Sequence, residues 1–210
     1  MNKINYQKEL DRVIAQHRRA GETPKLLLHV CCAPCSSYCL EYLSAYFDIT
    51  VYYYNPNISI KEEYAYRLSE EKRFISLKEF MHPVKLTESE YRPEDFFAAV
   101  KGLEQEPEGG LRCRECFRLR LEASAKKAKE LGADYFTTTL TISPLKNAAL
   151  LNEIGAETGE KYGVPWLWSD FKKREGYKRS IELSREFDLY RQNYCGCIFS
   201  RRDAEQGGAI

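Results

Sequence analysis

The sequence predicts an α/β protein: a parallel sheet with helices packed on both faces. Short apolar runs at 25–30, 49–54 and 135–140 are continuous rather than alternating, the pattern of strands buried on both sides. Stretches of helical periodicity separate them, long enough to cross from one parallel strand to the next. Turn residues mark the boundaries at 21–24, 55–57, Gly132 and Gly163.

Residues 4–19 set Ile4, Leu10, Val13 and Ile14 among charged neighbours, an amphipathic helix stopped by Gly21. Lys25-Leu26-Leu27-Leu28-His29-Val30 is a buried strand that runs straight into Cys31. Pro34 suits the first turn of a helix reaching about Phe47. The β-branched and aromatic run 49–54 is a second strand, closed by Asn55-Pro56-Asn57. Residues 59–80 read as a long charged helix, with Ser59 as N-cap and Glu62 at the capping-box position. A third strand is expected at 83–86. An inserted acidic helix and a flexible Gly109-Gly110 loop follow across 91–110.

A helix from about Cys113 to Leu131 leads to the strand at 135–140. Ser143-Pro144 opens the next helix, ending near Gly163. Residues 164–168 form a short final strand, and a helix around 180–187 precedes the last cysteines. The chain reads as a single catalytic domain over 1–210, with an acidic insertion at about 88–110 and a C-terminal redox segment at about 170–202.

With 43% hydrophobic residues, 15 Tyr and 10 Phe in 210 residues, the chain supports a well-filled core and excludes the disordered class. No segment approaches the roughly 20 apolar residues of a membrane helix. The first ten residues lack the apolar run of a signal peptide. A cytoplasmic location with no membrane partner is therefore expected, where thiols stay reduced. The net charge of +1 gives no global nucleic-acid signature. Its distribution is uneven, with seven acidic residues across 88–108 and four arginines across 112–120. Five basic residues crowd 171–179, and Arg201 and Arg202 follow the last cysteines. Positive charge beside thiols suits a site facing phosphates, although each cluster also reads as a solvated helix face.

The eight cysteines fall in three groups: Cys31, Cys32, Cys35 and Cys39, then Cys113 and Cys116, then Cys195 and Cys197. The first strand delivers Cys31 and Cys32 to its carboxyl end, where open parallel sheets bind ligands. A helix N-terminus there favours thiolate. Cys39, inside that helix, reads as a core residue. Cys113 and Cys116 lie one helical turn apart, a spacing shared by zinc, iron–sulfur and dithiol sites. Together with Cys31 and Cys32 they make four thiolates, enough for a structural zinc or a [4Fe–4S] cluster, and adjacent cysteines are unusual for zinc. Cys195 and Cys197 flank a glycine, so a disulfide between them closes a small strained ring that reduces easily. A pair of ligands for a second metal is the alternative.

His17, His29 and His82 show no ligand spacing and read as structural or surface residues. Asp170 and Tyr177 are proton-donor candidates, although such an Asp more often caps a helix or pairs with lysine. Asn55-Pro56-Asn57 is either a pocket rim or a plain turn.

Several segments, in order, resemble the QueH-type epoxyqueuosine reductases. They are His29-Val30-Cys31-Cys32-Ala33-Pro34-Cys35, Asn55-Pro56-Asn57-Ile58 and Arg112-Cys113-x-x-Cys116-Phe117-x-x-Arg120-Leu121. Further along come Thr137-Thr138-Thr139-Leu140-x-Ile142-Ser143-Pro144-x-Lys146-Asn147, Asp170-Phe171-Lys172-Lys173 and Tyr194-Cys195-Gly196-Cys197. The resemblance runs from about 25 to 202. It implies a fold like the adenine-nucleotide α-hydrolase (HUP) group and the last step of queuosine biosynthesis. In that step the epoxide of epoxyqueuosine in tRNA is reduced to the alkene of queuosine.

The resemblance further implies a [4Fe–4S] cluster on Cys31, Cys32, Cys113 and Cys116. It makes Cys195 and Cys197 a redox-active pair or ligands of a second, mononuclear iron. Cys35 stands where some members carry Asp, and would join that second iron. Implied partners are tRNA carrying epoxyqueuosine and an unidentified electron donor. The basic segments around Arg112, Lys172 and Arg201 would hold tRNA phosphates, and aromatic residues would stack a splayed-out base.

Two rival readings share the same features. An ATP-using tRNA-modifying enzyme of the PP-loop type needs a Ser/Gly-rich phosphate loop after the first strand, and Cys31-Cys32-Ala33-Pro34-Cys35-Ser36 has no glycine there. A zinc-containing RNA-binding module would bind zinc tightly and leave Cys195 and Cys197 without a role.

Overall fold

A computed structural model describes residues 4–205. Four parallel strands form one sheet in the order β3-β2-β1-β4. They are β1 (Lys25–Val30), β2 (Asp48–Tyr53), β3 (Lys85–Glu88) and β4 (Tyr135–Thr138). Helices α1 (Tyr6–Ala20), α2 (Ala33–Leu43), α3 (Lys61–Leu77) and α4 (Pro93–Ala99) belong to the first half. Helices α5 (Leu111–Glu130), α6 (Ala148–Tyr162), α7 (Gly176–Glu186) and α8 (Ile198–Glu205) belong to the second. The expected parallel α/β architecture is present.

Side chains of β1 alternate between two cores. Leu26, Leu28 and Val30 join Ile49, Val51 and Tyr53 against α1, α2 and α3. Leu27 joins Tyr52 and Phe136 against α5 and α6. Both cores are closed by apolar side chains, which is why the strands read as continuous rather than alternating runs.

Several boundaries differ from the sequence expectation. The strand at 135–140 stops at Thr138, because Thr138 Oγ1 accepts from Leu140 N at 3.2 Å and the chain tightens into a 3-10 turn over Thr139–Ile142. Ser143-Pro144 does not open α6. That helix begins at Ala148, capped by Asn147, whose Oδ1 accepts from Ala149 N and Leu150 N. Residues 164–168 give a single bridge, Trp166 to Phe136, instead of a strand. Ser59 does not cap α3, which starts at Lys61 without a side-chain cap. Helix α8, directly after Cys197, carries no sequence signal that singled it out.

The bridge at Trp166 is held by packing. Its indole lies edge-on to Phe136 at 5.0 Å and donates from Nε1 to Asn152 Oδ1 at 2.9 Å. The face of the ring presses on Gly155 of α6, where a Cβ would overlap it. Gly155→Ala is expected to destabilise the fold by about 1–3 kcal/mol, the cost of overpacking a filled core. Urea unfolding under reducing conditions, with an unchanged slope and a lower midpoint, checks this.

Candidate metal centre

The sheet changes direction at β1: β2 and β3 lie on one side and β4 on the other. Such a switch point leaves a crevice beyond the carboxyl ends of the strands, and ligands bind there. Cys31 follows β1 directly, and Cys32 is the N-cap residue of α2, its carbonyl accepting from Cys35 N and Ser36 N at 3.1 Å. The Cys31 and Cys32 sulfurs are 3.7 Å apart, and with Cys35 the three thiols lie within 4.8 Å of one another. Hydrogen bonds from the Cys31 and Cys35 thiols hold Cys32 well below the ordinary thiol range, so one proton leaves this trio readily. The same bonds push Cys31 and Cys35 up. Cys39 is buried one turn further on, its Sγ donating to Cys35 O at 3.4 Å, outside the trio.

A second set of thiols comes from two distant parts of the chain. Cys113 sits in the first turn of α5, where its Sγ accepts from Gly109 N at 3.2 Å, and Cys116 follows one turn later. The Cys195-Gly196-Cys197 loop is tied to the start of α3. Ser59 N donates to Gly196 O at 3.2 Å, and Ile198 N donates to Ser59 Oγ at 3.3 Å. The residue expected as a helix cap therefore anchors the Cys195–Cys197 loop. Gly196 has φ +122°, and a Cβ there would come within 2.9 Å of Ile58 Cγ1, so glycine is required twice over. Burial pushes the Cys116 thiol up to about 12 and the Cys197 thiol up to about 11, and raises Cys113 as well. These thiols keep their protons at neutral pH unless a metal displaces them.

Two adjoining cavities divide the thiols. One of about 90 Å³ is lined by Cys113, Cys116, Cys195 and Cys197. The other, about 270 Å³, is lined by Cys31, Cys32, Cys35 and Cys195. Cys195, Lys146 and Glu108 line both, so the two thiol sets meet at one seam.

Three buried arginines surround that seam. Arg67, Arg112 and Arg120 are each 1% exposed, the largest fully buried side chains described. Arg67 donates from Nε to Glu63 Oε1 at 2.7 Å and from Nη1 to Cys195 O at 3.2 Å. Arg112 donates to the carbonyls of Glu104 and Glu106 and lies over the Phe199 ring at 4.6 Å. Arg120 reaches Cys116 O at 3.4 Å and Asn55 Oδ1 at 3.5 Å. Arg67 Nη2, Arg112 Nε and Nη2, and Arg120 Nη2 are buried without an acceptor. Buried cationic donors without a protein acceptor favour an anion in the adjoining cavities.

Of the basic stretch around Arg112, expected to hold tRNA phosphates, half is buried and half pairs with surface carboxylates. Arg112 and Arg120 point inward, while Arg114 and Arg118 pair with Glu153 at 2.8 Å and Glu157 at 2.9 Å. Arg112, Cys116 and Arg120 recur every four residues on one helix face, the sequence signal that would have placed the arginines inside. Nothing in the sequence singled out Arg67, whose partner Cys195 is distant in the chain.

His29 is structural, as expected. Tyr54 O can only accept, so Nε2 carries the proton at 3.1 Å, and Nδ1 accepts from Thr138 Oγ1 at 2.8 Å. Burial lowers its pKa to about 3 and keeps the ring neutral. His17 contacts Glu22 and Tyr135 on the surface, and His82 lies outside both cavities. Asp170 pairs with Lys172 at 3.1 Å and lines neither cavity, whereas Tyr177 lines the larger one. Asn57 lines the smaller cavity, and Asn55 is fixed by donating to Val30 O at 2.8 Å.

Fold and site together define an α/β protein with a polythiol, arginine-enclosed centre at the switch point of its sheet. The family model described as epoxyqueuosine reductase QueH matches residues 26–203. The chain belongs to that family. A protein of Staphylococcus epidermidis named epoxyqueuosine reductase QueH is 50% identical over 204 residues, covering 94% of this chain and 85% of that protein. The protein of that name from Streptococcus pyogenes is 46% identical, covering 95% of this chain and 79% of its own length. One from Thermotoga maritima is 37% identical, covering 83% and 89%.

The trio on α2 rests on a buried carboxyl. Glu71 of α3 accepts from Ser36 Oγ at 2.8 Å, and burial raises its pKa from 4.5 to about 8. The folded state holds this proton where the unfolded chain has released it, so stability declines as pH rises between those two values, by at most about 1.4 kcal/mol per pH unit. Glu71→Gln is expected to flatten that decline, leaving the variant more stable than the parent at pH 8 and close to it at pH 5. Denaturant midpoints across pH 5–8 check it.

Proposed function

We propose that the chain is an epoxyqueuosine reductase acting on tRNA, with Cys31, Cys32, Cys113 and Cys116 as ligands of a [4Fe–4S] cluster. Cys195 and Cys197, with Cys35, act beside it as a reversible dithiol or as ligands of a second iron. The observation that carries the cluster is the set of buried guanidinium donors without acceptors around the two thiol cavities. Four thiolates around iron and sulfide leave a net negative group, the anion these donors lack.

Converting an epoxide to an alkene releases its oxygen as water and consumes two electrons and two protons. The cluster, when bound, passes electrons singly from an external donor, so a neighbouring dithiol or second iron suits a two-electron step. The larger cavity, at the carboxyl ends of the strands, receives the modified base. Tyr177 supplies a phenolic proton at its wall, a role Asp170 is badly placed for. Arg191 and Asn193 at the same cavity contact the RNA on either side of that base.

One observation favours a second distribution of the metals. Sulfurs that share one tetrahedral ion at metal–sulfur distances of about 2.3 Å stand about 3.8 Å apart. Cys31 and Cys32 already stand at 3.7 Å. In this reading Cys31, Cys32 and Cys35 hold a single ion, and Cys113, Cys116, Cys195 and Cys197 hold the cluster.

Anaerobic purification with iron, sulfide and visible absorbance decides between them. About four sulfides and a broad brown absorbance per chain are expected. Cys31→Ser is expected to lose the sulfide, and its retention would move the cluster to the second set. Zinc without sulfide or colour would overturn both. Conversion of epoxyqueuosine to queuosine in tRNA, followed by nucleoside mass, is expected in the parent and absent in Cys195→Ser.

A further inference from the structure

Among the three buried arginines, Arg120 alone has no firm acceptor. Arg67 has the Glu63 carboxylate at 2.7 Å, and Arg112 has two backbone carbonyls. Arg120 makes two long contacts, 3.4 Å to Cys116 O and 3.5 Å to Asn55 Oδ1, and its Nη2 has none. At 3.5 Å a hydrogen bond is at the edge of its range. The side chain stands one turn beyond Cys116 on α5 and lines the cavity of Cys31, Cys32, Cys35 and Cys195. Asn55 is itself fixed by its bond to Val30 O, and packing leaves the Arg120 side chain 1% exposed.

We propose that Arg120 is a positioning residue whose free N–H groups donate to the sulfur ligands of the bound cluster and raise its midpoint potential. The inference rests on the cluster reading above. Reduction adds one negative charge to a group that is already anionic. A fixed cation beside it therefore stabilises the reduced form more than the oxidised form. Hydrogen bonds to the sulfurs act in the same direction by drawing charge from them. Lys146 adds positive charge at the seam but stands on the 143–147 loop, whereas Arg120 is held in the packed helix.

The test compares the parent with Arg120→Gln and Arg120→Lys, each purified without oxygen and analysed first for iron and sulfide. A redox titration followed by visible absorbance and electron paramagnetic resonance then gives the midpoint. Arg120→Gln is expected to lower it by at least a tenfold change in the one-electron equilibrium, about 59 mV. Arg120→Lys keeps the charge but reaches fewer sulfurs, and its midpoint is expected between the two. A purely structural role would change cluster content or melting temperature and leave the midpoint of intact protein unmoved. If Arg120→Gln loses its cluster, Arg120→Lys decides alone, an unchanged midpoint overturning the proposal. A parent without sulfide overturns the cluster reading itself, so the two failures are distinguishable.

Discussion

The centre is organised by positive charge buried without enough negative charge to match it. Three guanidiniums enclose the thiols, and only Arg67 has a carboxylate within reach. Burying an unpaired cation costs several kcal/mol, and a fold retains that arrangement only when something offsets it. Among the thiols Cys32 is held low, whereas burial keeps Cys113, Cys116 and Cys197 protonated, so they add nothing to the offset. The proposed thiolate–metal group would resolve both problems together, giving the arginines their anion and the cysteines a replacement for their protons.

The same arginines explain how three separate pieces of chain stay in register. Arg67 grips the Cys195 carbonyl from α3, and Arg112 grips the carbonyls of Glu104 and Glu106 from α5. The acidic insertion is thereby drawn over the start of α5, and Glu108 continues inward to accept from Ser200 Oγ at 3.1 Å. A stretch that looks like a solvated acidic surface forms a wall of the site through its backbone. The arginines attach both loops through main-chain carbonyls, and the Ser59 and Ser200 hydroxyls add side-chain ties to the Cys195–Cys197 loop.

Much of this was legible in the chain. The strand leading into Cys31 and the pairing of Cys113 with Cys116 follow from local patterns of hydrophobicity and helical spacing. The placement of Ser59 did not, because a serine ahead of a charged helix has the local signature of a cap. Its actual partners, Gly196 and Ile198, lie far away in sequence. The start of helix α6 is ambiguous in the sequence because Ser143-Pro144 and Asn147 are both acceptable helix openings, and the 3-10 turn before them favours the later one. The orientation of Arg112 and Arg120 was legible in the four-residue repeat, yet the charge count of the segment suggested an outward face. Composition reports how many charges a segment carries, and periodicity reports where they point.

That reversal bears on how RNA is held. If the arginines around the second cysteine pair faced solvent, a broad phosphate-binding surface would be expected, with the strong salt dependence such surfaces carry. Instead Arg112 and Arg120 serve the thiols, Arg114 and Arg118 are paired with glutamates, and Arg174 and Arg179 bind Asp11 and Glu41 across the surface. The exposed cation at the mouth of the larger cavity is Arg191, with Lys146 deeper within it. Under the proposed function, recognition would lean on the shape of a single-stranded loop and the fit of one displaced base, the usual mode of sequence-specific RNA binding. In that reading a nearly neutral protein selects a modified nucleoside because the cavity, rather than the surface field, carries the discrimination.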